Sequence, residues 1–266
     1  MKKLIIIITA ALLLILITSF SIYKMLIKLP ESDSENNIRE TTIEVPEKNN
    51  GFEAPEKIAA TEFTLSYIIE RDFSKIELIS NLEEKLSSQE ALQKNHCDFL
   101  TSAGFFGENG KHLGLFQIGN NTIQDVSSSN LLNGYLYINN SEKAIISKEL
   151  PKIIDPKFAL QSGPILMANK LPLDVVSEND ETARRVIAAT TEKEEIAFIV
   201  LYYKPSPLIG PKLSEVPKLL LNIRNTTNLK IIDAINLDGG THSSFLGETV
   251  KLTEISTPGS YFCIKP

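Results

Sequence analysis

The chain has no tryptophan and only two cysteines, three histidines, 13 glycines and 13 prolines in 266 residues. So few cysteines exclude a disulfide scaffold, and without paired histidines beside them they argue against a zinc site. Glycine and proline this sparse exclude a collagen-like or low-complexity chain. Positive charge is also short: 27 Lys and Arg against 33 Asp and Glu leave a formal charge of −6. Sequence-independent binding to nucleic acid rests on cations that neutralise phosphates, so that partner class is set aside. What is present, 42% apolar residues over this length, fits one sizeable α/β or all-β domain plus extras.

The extras come first. Lys2 and Lys3 precede an uncharged run, 4–23, and Lys24 and Lys28 close it before Pro30. A helix of that length spans about 30 Å, the hydrocarbon thickness of a bilayer. Residues 1–30 are therefore expected to form one N-terminal transmembrane helix, a retained signal anchor. The rival is a cleavable signal peptide, for which Ser19-Phe20-Ser21 is a fair cleavage site. Either outcome places the remainder on the extracytoplasmic side, and the anchored form at the cell membrane. Residues 31–57 then carry eight acids against Arg39, Lys48 and Lys57, with Pro46, Pro55 and Asn49-Asn50-Gly51 and no apolar period. This composition predicts a disordered acidic tether that repels an anionic bilayer surface.

Residues 58–266 alternate strand-like and helix-like patterns. Alternation at 63–69 followed by Phe73, Ile76 and Leu78 across an Arg71-Asp72 turn predicts a pair of strands. Residues 82–94 read as a helix capped by Asn81, with Leu82, Leu86 and Leu92 on its apolar face. A buried strand is expected over 99–106, running into a Gly-rich turn. Further strands are expected at 113–118, 134–138, 144–147, 158–159, 164–167, 185–190, 196–203, 231–237 and 261–264. A second helix fits 213–225, where Pro217 is tolerable only near the first turn. Strands outnumber helices, so the fold class expected is α+β, a mixed β-sheet domain with a few helices. Cys97 and Cys263 both fall at strand-like segments. Export permits a disulfide between them, and two separate buried thiols are the equal alternative.

Chemistry should sit where polar residues and glycines interrupt buried strands, and three places do so: 102–114, 161–164 and 236–244. At these places the sequence resembles a known family. DAINLDGGTHSSF (233–245), with SAGFFGENGKHLGL (102–115), QSGPIL (161–166) and ARRVIAA (183–189), is similar to the phosphodiester glycosidases. The resemblance spans about 63–265. It implies a mixed α/β domain and hydrolysis of a sugar-1-phosphodiester to free sugar and a phosphomonoester. Ser102 stands where the family usually has Asn, and Thr241, followed by His242, stands where it often has a third glycine.

Glycoside cleavage passes through an oxocarbenium-like transition state that carboxyl groups normally serve. A phosphomonoester has a second pKa near 6, so the leaving group here needs charge stabilisation more than a strong acid. Asp238, at the end of a buried strand, is the first candidate for the carboxylate, and Gly239-Gly240 would let substrate approach the backbone. The bland alternative is that Asp238 caps a turn. Arg184 matches the family's Arg position and is the candidate phosphate clamp. Its alternative is an ion pair with Glu178, Asp180 or Glu181. Glu108 is the candidate second carboxylate. His242 could donate to phosphate or shuttle a proton. Substrate contacts are expected from Ser102 and Gly104 in the first motif and from Gln161, Ser162 and Gly163 in the second. In the third they are expected from Asn236, Gly239, Gly240, His242 and Ser243. No ligand spacing argues for a metal, and no cofactor is expected. The leading reading is an extracytoplasmic, membrane-tethered hydrolase of sugar-1-phosphodiester bonds in envelope or exopolysaccharide glycans. The alternative is a non-catalytic envelope protein of the same fold that binds a glycan or phosphosugar.

Overall fold

Two stretches, IAFIVLY (Ile196–Tyr202) and the VIAA of Arg185–Thr191, are apolar at every position, which suits strands covered on both faces. The computed structural model, which describes residues 51–52, 55–139, 141–150, 156–176 and 180–266, places them side by side. The expected transmembrane helix and most of the tether lie outside the described residues. No helix among the described residues is long and apolar enough to cross a membrane. Contacts divide the chain between Glu47 and Lys48, and the architecture below is that of the C-terminal unit.

The largest sheet runs, in spatial order, Gly51–Phe52, Thr64–Glu70, Ile196–Tyr202, Arg185–Thr191, Ile231–Asn236, Ile165–Ala168 and Leu171–Pro172. Its strands alternate between two cores, as successive side chains of a strand point to opposite faces. Phe198, Val200 and Tyr202 enter one cluster, and Ala197, Ile199 and Leu201 enter the other. The first cluster is shared with two five-stranded sheets. One orders Asn121–Gln124, Phe116–Ile118, Phe158–Ser162, Gly134–Ile138 and Ala144–Ser147; the other orders Lys251–Leu252, Phe245–Leu246, Phe99–Ser102, Ser260–Ile264 and Ile76–Ser80. The second cluster is closed by helix α2 (Val216–Thr226), which buries Val216, Leu220 and Ile223 from one face. Pro217 sits in its first turn, where no backbone donor is lost. The α+β class expected from the pattern of strands and helices holds. Every described ladder is antiparallel, so the sheets differ from the mixed sheet expected in having no parallel pair among the described residues.

Three local expectations change. The first helix, α1, covers only Ser88–Lys94. Ser87 and Glu90 form a capping box that starts it there, and Lys85 at φ 50° breaks any helical run before it. Asn81 is not its cap; its side chain accepts from Leu86 N and donates to Leu86 O and Pro258 O, holding a turn. Thr64–Glu70 and Ile76–Ser80 are both strands but not partners: the first joins the largest sheet, and the second pairs with Ser260–Ile264 in another. The end of the stretch expected as a tether is strand: Gly51–Phe52 and Glu56–Lys57 both pair onto Thr64–Glu70.

Cys97 and Cys263 are joined in a disulfide across 166 residues of chain, linking the segment after α1 to a central strand of the third sheet. Closing a loop of that length stabilises the folded state by roughly 4–5 kcal/mol on the chain-entropy account. Cys97→Ser with Cys263→Ser should therefore lower the urea midpoint by the equivalent of about 2–5 kcal/mol. An unchanged midpoint would show that the bridge constrains nothing.

Candidate functional site

The strand Ile231–Asn236 runs on through Leu237, whose N–H bonds Val186 O, and delivers Asp238 beyond the edge of the core. There it meets the end of Phe99–Ser102 from the third sheet. Asp238 N donates to Ala103 O at 2.9 Å, and Ser102 Oγ donates to Asp238 O at 2.8 Å. The Asp238 backbone is thus fixed between the ends of strands from two sheets. Its residue is 7% exposed, and burial pushes its carboxyl up from 3.8 to about 7, against which the Gly239 N–H works in the other direction. Among the described contacts no cation pairs with it.

The two glycines after Asp238 carry the chain across Arg184. A Cβ at Gly239 would lie 2.9 Å from Arg184 O, and Gly240, at φ 62°, donates its N–H to the same oxygen at 2.9 Å. Arg184 is itself 1% exposed. Its Nε donates to Ser243 Oγ at 2.7 Å, and its Nη2 to Thr253 O at 2.6 Å and to Ser243 O. Burial pulls its pKa down to about 10, opposed by the nearby Glu254 carboxylate. Ser243 Oγ passes its own hydrogen to Gly240 O at 2.5 Å. Arg184 makes no described ion pair with Asp180 or Glu181, and Glu178 lies outside the described residues. Its described hydrogen bonds instead hold the 239–244 turn in place.

Ser102 is fully buried, and its hydroxyl, besides bonding Asp238 O, accepts from Ser244 N at 3.4 Å. Gly104 lies against Leu160, whose Cδ1 would be 2.7 Å from an added Cβ, and its N–H donates to Ser260 Oγ. A second group forms around Asn236. Its carbonyl accepts from Ser162 Oγ at 2.7 Å and Gly163 N at 3.2 Å, its N–H donates to Pro164 O, and its Nδ2 donates to Gly163 O. Asn236 Oδ1 is buried without a partner. Gln161 spends its amide on loop backbones, accepting from Leu115 and Ser127 and donating to Ser127 and Leu132. His242 is half-buried, its ring at 90° to Phe106 with centroids 5.1 Å apart. Glu108 stands exposed in the 107–110 turn, and no described contact joins it to Asp238.

The structure therefore brings Ser102, Arg184, Gly239, Gly240 and Ser243 together around Asp238, links Ser162, Gly163 and Asn236 beside them, and leaves Glu108 apart. Residues not foreseen also take part: Ser260 and Gly259 from the third sheet, Phe106, and the Thr253 carbonyl. Pro258-Gly259, just ahead of the last strand, is the local sign of Gly259 and Ser260, and Phe106 lies within the 102–115 motif. Among the described residues no group of three His, Cys, Asp or Glu is placed to hold a metal ion.

A family model described as phosphodiester glycosidase matches residues 95–261. The catalytic domain of zebrafish N-acetylglucosamine-1-phosphodiester alpha-N-acetylglucosaminidase, auto-inhibited by its pro-peptide, superposes with a TM-score of 0.58 at 13% identity, over 82% of this chain and 88% of that one. A hypothetical protein from Synechocystis superposes at 0.56 with 12% identity, over 81% of this chain and 61% of that one. At such identities the likeness is one of fold. No curated protein sequence matches significantly.

The Asp238 carboxyl gives the site a pH signature in stability. Folded, it holds its proton to about pH 7, whereas unfolded it releases it near 3.8. The stability owed to the protonated form is complete below about pH 4 and lost as pH rises through 7. Asp238→Asn removes that loss, so at pH 8 thermal unfolding should find the variant more stable by on the order of 2–4 kcal/mol. The gap should close only below about pH 4; a variant no more stable at pH 8 contradicts the buried-acid account.

Proposed function

The chain belongs to the phosphodiester glycosidase family, and from that premise we propose that it hydrolyses sugar-1-phosphodiester bonds in envelope or exopolysaccharide glycans, with Asp238 as the proton-handling group. The observation that carries this is a lone carboxyl, desolvated at the end of a strand and protonated up to about pH 7, beside a turn of two glycines. An anionic phosphodiester would enter more readily beside a neutral acid than beside a carboxylate. As the bond between the anomeric carbon and its oxygen breaks, Asp238 gives its proton to that oxygen, and the phosphomonoester leaves with the bonding electrons. Water then adds to the anomeric carbon and returns a proton to the carboxylate, restoring the acid. His242, on the same turn, is assigned to hydrogen-bond the phosphate. Arg184 supplies positive charge beneath the turn and holds its shape, while Glu108 is assigned no step.

The N-terminal segment completes the proposal: a retained anchor holding the domain outside the cytoplasm, with the acidic stretch as spacer. The engagement of Arg184 Nε and Nη2 with Ser243 and Thr253 favours a second reading, a phosphosugar-binding protein without turnover. The release of free sugar decides between them. With a methyl diester of a sugar-1-phosphate as substrate, kcat/KM should fall about tenfold per pH unit above 7. Asp238→Asn should cut kcat at least roughly a thousandfold while moving KM about threefold or less. Saturable binding without release from any such diester supports the second reading instead.

A further inference from the structure

Phe106 belongs to none of the apolar clusters that make up the core, yet it is held firmly. Its backbone pairs with His112 in an antiparallel bridge that closes the hairpin carrying Glu108. One side of the residue lies on the chain at Gly259, where a Cβ would come within 2.7 Å of its Cγ and Cδ1 and 2.8 Å of its Cβ. His242 stands at right angles to it. The residue is nevertheless only half-buried, as are its neighbours Phe105 and Gly107. Leu113, whose N–H bonds Phe105 O, is 42% exposed and adds apolar surface to the same edge.

The position of this ring relative to Asp238 is fixed by two short routes. Ala103, three residues before Phe106, accepts the Asp238 N–H, and His242, in contact with the ring, is four residues after Asp238. A half-buried aromatic residue, packed against Gly259 and His242, thus borders a buried acid. We propose that Phe106 forms a stacking subsite for the pyranose ring of the substrate, receiving its apolar C–H face while the anomeric carbon lies toward Asp238. The face of an aromatic ring carries negative quadrupole density, which repels a phosphate and accepts polarised C–H groups, so the ring selects the sugar and not the phosphate side of the diester. Because the ring is already locked by Gly259, His242 and the hairpin, stacking costs little further ordering. The proposal rests on the reading of the site as a sugar-1-phosphodiester hydrolase, and binding and turnover test the two separately.

The absence of tryptophan from the chain makes the binding arm direct. Phe106→Trp in the purified full chain, kept in a detergent without a sugar head group, introduces a single indole at the subsite. Titration with N-acetylglucosamine, glucose, mannose and galactose should give a saturable emission change with at least one of them, and none with sorbitol or inorganic phosphate. Phe106→Leu, which keeps apolar volume without a ring, should raise KM for the methyl diester roughly tenfold, about the 1.4 kcal/mol that a stacked ring supplies, with kcat within about twofold. If Phe106→Trp unfolds at the parental temperature and no pyranose changes its emission, or if Phe106→Leu leaves KM unmoved, the subsite is overturned while the hydrolase reading stands. A saturable pyranose response in a chain that releases no sugar upholds the subsite and overturns the hydrolase reading.

Discussion

The geometry of the site depends on one junction, where the backbone of Asp238 is tied to the end of Phe99–Ser102 by its own N–H on Ala103 O and by Ser102 Oγ on its carbonyl. These two bonds join strands of different sheets, and all other contacts of the turn are arranged around them. A carboxyl carried on a free loop would reach water and ionise near its ordinary value. Held here, with only the Gly239 N–H described as facing it, it keeps its proton. The acidity of the residue is therefore a property of the junction more than of the local sequence.

A second cost is met at Arg184. Burying a guanidinium is unfavourable unless its donors are satisfied, and here they are met by two carbonyls and a hydroxyl, with Glu254 providing opposite charge nearby. Glu254 in turn accepts from the N–H and hydroxyl of Ser88 at the start of α1. A continuous set of polar contacts thus runs from the glycine turn through Arg184 to the 253–254 segment and on to the helix beside the disulfide. Serine at 102 fits this scheme: it is short enough to sit wholly inside the junction and bond the main chain on both sides.

Much of this was legible in the sequence because burial on both faces writes a continuous apolar run. The strands at 185–191, 196–202 and 231–236 match the expected bounds to within one residue; those at 134–138 and 144–147 match to the residue, although 144–147 is a mostly half-buried edge strand. The Asp-Gly-Gly turn was visible for the same reason, as an abrupt polar break after such a run. What failed was long-range or decided by detail. Nothing near Arg71-Asp72 tells that the strands on either side enter different sheets. A capping box at Ser87 outweighed the apolar spacing of Leu82 and Leu86. The partners of Arg184 are mostly carbonyls, which no pattern of side chains encodes, and Gly259 and Ser260 come from more than 150 residues beyond Gly104.

The strand Ser260–Ile264 lies inside the third sheet, between Phe99–Ser102 and Ile76–Ser80, both made some 160 to 190 residues earlier. Those two strands have no ladder with each other, so the sheet stays open until the later one arrives, after a long loop has been closed at entropic cost. Until it does, the chain holds the acid-bearing turn but not yet the scaffold against which Phe106 rests. The aromatic border of the acid is therefore completed only once segments more than 150 residues apart in the chain have met.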